Sequence, residues 1–176
     1  MRSRIFSLVI VFLVIGVVVL WAGPAAGLEL VVRPYLNCPT TDGVVVRWET
    51  DEAATSAVRW GARVPLEERT AEDGMRTLHA VELRGLDPAM PYFYQVVSRD
   101  GAGNEVESEV YTFGTAVTRD MAFGFVVFCD TQASPAVVRK LAEHAYAQRP
   151  AFTLLGGDLV SNGNIKAHWT KHFLRN

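Results

Sequence analysis

Phe123-Gly124-Phe125-Val126-Val127-Phe128-Cys129 runs directly into Asp130-Thr131-Gln132, and Phe152-Thr153-Leu154-Leu155 runs into Gly156-Gly157-Asp158. Each apolar run is short enough for a buried strand and each ends on an aspartate. Between them, Ser134 suits an N-cap and Pro135 a first helical position. Val137, Val138, Leu141, Ala142 and Ala145 supply one apolar helix face, and Pro150 stops the helix. The order is therefore strand, helix, strand, with a carboxylate just past each strand. In a parallel sheet the carboxyl ends of neighbouring strands open onto one crevice where ligands bind. Two hard oxygen donors at that crevice suggest a metal site.

Upstream, residues 28–115 read as short strands divided by turn residues. Val44, Val46 and Trp48 alternate with Val45, Arg47 and Glu49. Ala57-Val58-Arg59-Trp60 follows an acidic turn, and Leu78, Ala80 and Leu83 lie in a further run before Gly85. Tyr92, Tyr94 and Val96 alternate with Phe93, Gln95 and Val97; Asp100-Gly101-Ala102-Gly103-Asn104 is a turn, and Val110-Tyr111-Thr112-Phe113 closes the series. About six or seven strands at this spacing, without a helical segment, predict a β-sandwich. Gly85-Leu86-Asp87-Pro88 before Tyr92 predicts a tyrosine corner, the ring between the sheets and the hydroxyl on upstream backbone. Trp48, Trp60, Tyr92 and Tyr94 are expected in the core rather than on a carbohydrate-binding platform. Residues 116–120 read as a linker, and a last helical segment is expected from Ile165 onward.

At the other end, Arg2 and Arg4 precede an apolar run over residues 5–21, followed by Ala22-Gly23-Pro24-Ala25-Ala26-Gly27. A charged start, an apolar stretch and small residues describe a secretory signal peptide, with Leu28 as the mature start. An uncleaved membrane anchor through residues 5–21 is the other reading. Both readings place the rest of the chain outside the cytoplasm, secreted or extracytoplasmic. The net charge of −2 and the lack of a basic block argue against a nucleic-acid partner. Of the two cysteines, Cys129 sits in an apolar strand and is expected to be a buried free thiol. A Cys38–Cys129 disulfide is the alternative in an oxidising compartment. His168 and His172 are four apart, but Trp169 follows the first where a zinc-protease pattern needs glutamate, so a solvated helix face is expected. His79 and His144 are expected at the surface.

With Trp48, Arg33-Pro34-Tyr35 and the Gly85 to Tyr92 spacing, the first half resembles a fibronectin type III-like module, and more specifically the N-terminal domain of purple acid phosphatase-like enzymes. Asp130-Thr131-Gln132 and Gly157-Asp158 resemble the first two motifs of the calcineurin-like metallophosphoesterases, whose usual forms are Asp-x-His and Gly-Asp. The resemblance implies an α/β metallophosphoesterase domain beginning near residue 121 and continuing to 176 as an N-terminal fragment. It implies two divalent or trivalent metal ions (Fe, Mn or Zn) and a phosphate-ester substrate. It also implies that Asp130 and Gln132 bind the first metal and that Asp158 bridges. Three features depart from the pattern. Gln132 stands where histidine is usual, and Ser161 stands where purple acid phosphatases place a tyrosine ligand. The later Gly-Asn-His and histidine motifs are absent, since Gly163-Asn164 is followed by Ile165. The expectation is an exported phosphoric ester hydrolase represented by a fragment with an incomplete site. The rival is a secreted fibronectin III-like binding module with an inert C-terminal remnant.

Overall fold

The computed structural model describes residues 27–132 and 134–175. The proposed leader therefore lies outside the described residues. Six strands build the first part: β1 (Leu30–Asn37), β2 (Gly43–Gly61), β3 (Glu68–Arg84), β4 (Pro91–Arg99), β5 (Glu105–Glu107) and β6 (Tyr111–Gly114). The long strands β2 and β3 pair antiparallel along most of their length, with register shifts either side of Ala54. β1 pairs only with the first half of β2, from Leu30↔Thr50 to Asn37↔Val45. β4 pairs only with the second half, from Ala57↔Val97 to Gly61↔Phe93, and carries β5 and β6 on its other edge. One bent hairpin thus contributes to two layers. Val44, Val46, Trp48, Val81 and Leu83 from the first layer meet Val58, Tyr92, Tyr94, Val96 and Phe113 from the second in a single core. The result is a mostly β, sandwich-like fold.

The acidic turn expected after Glu49 is instead a bulge inside a continuous strand. Asp51, Glu52 and Ala53 are exposed at the bend, whereas Ala54 is fully buried. The Thr50 hydroxyl closes the bend by donating to the Glu52 carbonyl at 2.7 Å. A bulge puts extra residues on one strand and increases local twist, which lets one strand leave one sheet and enter the next.

The tyrosine corner is present. The Asp87 N–H donates to Tyr92 Oη at 2.9 Å, and the ring stacks on Phe113 at 5.6 Å. Thr115 secures the same turn, its hydroxyl donating to the Asp87 carbonyl at 2.6 Å while accepting from Met90 N–H at 3.0 Å. Gly85 takes a φ of 74° there, a left-handed conformation that costs glycine little. Trp48, Tyr92 and Tyr94 are buried and Trp60 half-buried, consistent with core packing.

His79 corrects the surface expectation. It is only 2% exposed, and its ring stacks on Trp48 with centroids 4.7 Å apart and planes 6° from parallel. Thr50 Oγ1 lies 2.8 Å from Nε2, and Ser56 Oγ lies 2.8 Å from Nδ1. Since the Thr50 hydroxyl proton goes to Glu52, Thr50 accepts from Nε2–H. Nδ1 then accepts from the Ser56 hydroxyl, which assigns a neutral Nε2–H tautomer. Burial, reinforced by the nearby Arg76 charge, lowers the imidazole pKa to about 4. The inward set on β3 is His79, Val81 and Leu83, and Leu78 points outward at 65% exposure.

The second part consists of β7 (Phe125–Phe128), α1 (Pro135–Ala147), β8 (Phe152–Leu155) and a last helix. That helix begins as α2 (Lys166–His168) and continues as a π-helical stretch, Trp169–Leu174. β7 and β8 are parallel, Phe125↔Phe152 through Phe128↔Leu155. Ser134 occupies the N-cap position of α1 without a side-chain cap bond, and Pro135 opens the helix. Val138 and Ala145 are buried, while Val137 turns outward. The last helix is tied to the sandwich: Lys166 pairs with the buried Glu49, and Arg175 Nε donates to the Val31 carbonyl at 2.7 Å. Trp169 Nε1 donates to the Gly163 carbonyl at 2.9 Å, and Trp169 meets Phe173 edge-on.

Both cysteines are free and exposed. Cys129 is therefore not the buried thiol expected. It follows the last residue of a pair whose faces remain open, with Phe125, Val127, Leu154 and Leu155 each about half exposed.

Candidate metal centre

Phe128 and Leu155, the last residues of β7 and β8, face each other in register. The chains stay zipped beyond them. Gly156 N–H donates to the Phe128 carbonyl at 2.7 Å, and Asp130 N–H donates to the Gly157 carbonyl at 3.1 Å. The two glycines have separate reasons. A Cβ on Gly156 would sit 3.2 Å from Cys129 Cβ and 3.4 Å from the Phe128 carbonyl, so close approach requires its absence. Gly157 has a φ of 116°, which L side chains rarely adopt.

Asp130 and Asp158 then occupy equivalent places past the strands, and both are left-handed, with φ of 55° and 49°. Aspartate tolerates this region better than most residues, and such outliers gather at functional sites. Both carboxylates act on one neighbouring thiol. Cys129 is held protonated above its usual range, first by its hydrogen bond to Asp130, then by the charge of Asp130, by partial desolvation and by the charge of Asp158. The two loops are cross-tied, with the Thr131 hydroxyl reaching the Leu159 carbonyl at 3.5 Å and the Ser161 hydroxyl the Gln132 carbonyl at 2.9 Å.

Gln132 therefore lies at the same edge as the two aspartates. Its side-chain Oε1 is buried and has no hydrogen-bond partner. A buried acceptor without a partner costs about 1–3 kcal/mol, so such an atom calls for a ligand, water or ion. The donors expected from the sequence are two carboxylates and one amide oxygen, chemistry that suits a hard cation, and the Cys129 thiol stands beside Asp130. These donors do not complete a two-metal shell: among the described residues no three His, Cys, Asp or Glu side chains gather to hold a metal. His168 and His172 stack on each other at 5.0 Å, half-buried rather than on the solvated face expected. His144 is exposed as expected. Asn164 N–H is engaged by Asn162 Oδ1 in a local turn. The sequence reading missed His79, although the alternation of 79, 81 and 83 carried the signal.

No protein-family model matches this chain, and no curated protein matches it. Solved structures similar to it include a purple acid phosphatase from yellow lupin (Lupinus luteus) seeds, 16% identical, with a TM-score of 0.49. That match covers 70% of this chain and 34% of the phosphatase chain. They also include the fibronectin type III domain of human fibronectin type III domain containing protein 3, 16% identical over 58% of this chain and 99% of that one, with a TM-score of 0.42. The sixth such domain of a human protein of that description is 21% identical over 58% of this chain and 99% of that one, also with a TM-score of 0.42.

Proposed function

We propose that this chain is the N-terminal part of an exported, metal-dependent phosphoric ester hydrolase of the metallophosphoesterase type. In this reading residues 28–115 form the accessory sandwich and residues 121–176 begin the catalytic domain. One observation carries the reading. The zipped ends of β7 and β8 bring left-handed Asp130 and Asp158 to one edge, and Gln132, two residues past Asp130, has a buried side-chain oxygen without a partner. The open faces of the parallel pair add support. Parallel strands are normally covered on both faces, and the exposure of Phe125, Val127, Leu154 and Leu155 calls for further layers.

In this chain Asp130, Gln132 and Asp158 are the residues that would hold metal. Bound metal ions supply Lewis-acid stabilisation and an acidified water for hydrolysis. The bond from Ser161 to the Gln132 carbonyl and the longer contact from Thr131 to Leu159 tie the two aspartate-bearing loops to each other. No phosphate-facing histidine belongs to the set, and this chain alone is expected to be inactive.

The test joins this chain to the coding sequence downstream of residue 176 and measures hydrolysis of p-nitrophenyl phosphate with added metal. Metal-dependent turnover that Asp158→Asn abolishes supports the reading. Full activity in Asp158→Asn, robust activity in the 176-residue chain, or a frame that closes without a Gly-Asn-His motif overturns it and favours the binding module. Export is checked by mass spectrometry of the secreted protein, which should begin near Leu28. Intact Met1 on membrane-bound protein favours the anchor. Among the described residues no helix is long and apolar enough to cross a membrane.

A further inference from the structure

We infer that Lys166 and Glu49 form a clasp by which the sandwich holds the last helix down, and with it the far end of the loop that leaves Asp158. The inference goes beyond the metal reading and does not depend on it. Val44, Val46 and Trp48 point into the core, so Glu49 belongs to the outward set of β2. Its Cα partner on β3 is Leu78, which is largely exposed. Glu49, by contrast, is buried. The last helix meets it there: Lys166 reaches the Glu49 carboxylate, and Ala167 and Thr170 line the same cleft.

The two charges are unequally buried. The Glu49 side chain is 8% exposed and the Lys166 side chain 68%. Removing the carboxylate would release a lysine that is already largely in water. Removing the lysine would strand a carboxylate away from water, which is the greater penalty. Lifting the helix relieves it, because water then reaches the carboxylate. Full burial of side chains adds little to the docking. Among the described residues of α2 and the π-helical stretch, Thr170 is the one that is buried. A cleft of about 380 Å³ opens between the helix and Val31, Glu49 and Thr77. At the other end of the helix the exposed Arg175 donates to the Val31 carbonyl. The charge pair therefore decides whether the helix stays seated.

The experiment follows amide hydrogen exchange by mass spectrometry in the full chain, comparing residues 166–175 with β2 and β3. Lys166→Met is expected to speed exchange in residues 166–175 by about tenfold while the β2–β3 hairpin keeps its protection, since an unpaired buried carboxylate favours the lifted helix. Glu49→Met should speed it less. Adding Glu49→Met to Lys166→Met should return exchange to within about threefold of wild type, because no charge is then stranded. Unchanged exchange in Lys166→Met overturns the clasp, as does an absence of protection in residues 166–175 of wild type. A double variant as fast as Lys166→Met alone overturns the role of the stranded carboxylate and assigns the effect to lost packing of the lysine stem. Faster exchange spread equally over β2 and β3 is global destabilisation and overturns local release of the helix.

Discussion

Acid should destabilise the sandwich through His79, and replacing that residue should remove a defined part of the pH dependence. The imidazole is buried against Trp48, with Nε2–H donating to Thr50 and Nδ1 accepting from Ser56. Protonation would place a second donor against the Ser56 hydroxyl and a charge in the core, near the Arg76 cation. The folded pKa is about 4 against 6.5 for the free group. Between those values the unfolded chain binds the proton and the folded chain does not. Stability from this group is therefore complete above pH 6.5 and falls as pH drops toward 4. At about pH 4.5 the loss amounts to roughly 2.5 kcal/mol, taking about 1.4 kcal/mol per unit. Urea unfolding of wild type and His79→Phe at pH 7.5 and pH 4.5 isolates this contribution, because the exposed carboxylates and the other histidines are common to both proteins. His79→Phe keeps a ring on Trp48 but strands the Ser56 hydroxyl, so it should be less stable by about 1–3 kcal/mol at pH 7.5. The gap should close or reverse at pH 4.5. Parallel stability losses in the two proteins would refute the buried, neutral histidine.

Tyr92→Phe should cost about 1 kcal/mol, the net worth of the hydrogen bond from Asp87 N–H, in a denaturant titration with an unchanged m-value. A loss below about 0.3 kcal/mol would show that the corner is held by ring packing alone. Leu83→Ala should cost about 2–5 kcal/mol, whereas Leu78→Ala should stay within about 0.5 kcal/mol. Equal effects at the two positions would contradict the inward placing of Leu83 and the outward placing of Leu78.

The sandwich was legible where residue chemistry and strand period agree. Val44, Val46 and Trp48 alternate cleanly and are all in the core, as are Tyr92, Tyr94 and Val96. The reading slipped on β3, where Leu78 draws attention as the larger apolar residue. The true inward set includes a histidine, whose polarity is answered by Thr50 and Ser56 from β2, and no local pattern reveals those partners. The bulge was hidden for a similar reason, since Asp51 and Glu52 have turn chemistry and only pairing with β1 and β3 keeps the strand continuous. Within the candidate site, the strand-helix-strand order and the aspartates at its edge were legible because two short apolar runs each lead into an aspartate and Ser134, Pro135 and Pro150 bound the helix between them. The buried Gln132 oxygen was not legible, because burial of a loop side chain is set by contacts made in three dimensions and not by its neighbours in sequence.

A single hairpin carries the layout of both sheets, and this shapes how the domain can assemble. β2 and β3 are joined by residues 62–67, so their pairing runs from neighbours in sequence at Trp60↔Glu68 out to Gly43↔Arg84. Local pairing closes small loops first, which lowers the entropic barrier that normally slows β-rich folds. The same economy concentrates risk. A slip of one residue before the bulge would exchange Val46 with Arg47, and the mirror exchange on β3 would expose His79 and bury Leu78. The register shifts at Ala54 act as a clutch between the two halves, allowing one layer to adjust without turning the other inside out. Lengthening the chain at the hairpin tip should thus be tolerated by the fold, whereas an extra residue between Val44 and Trp48 would carry its error into the core.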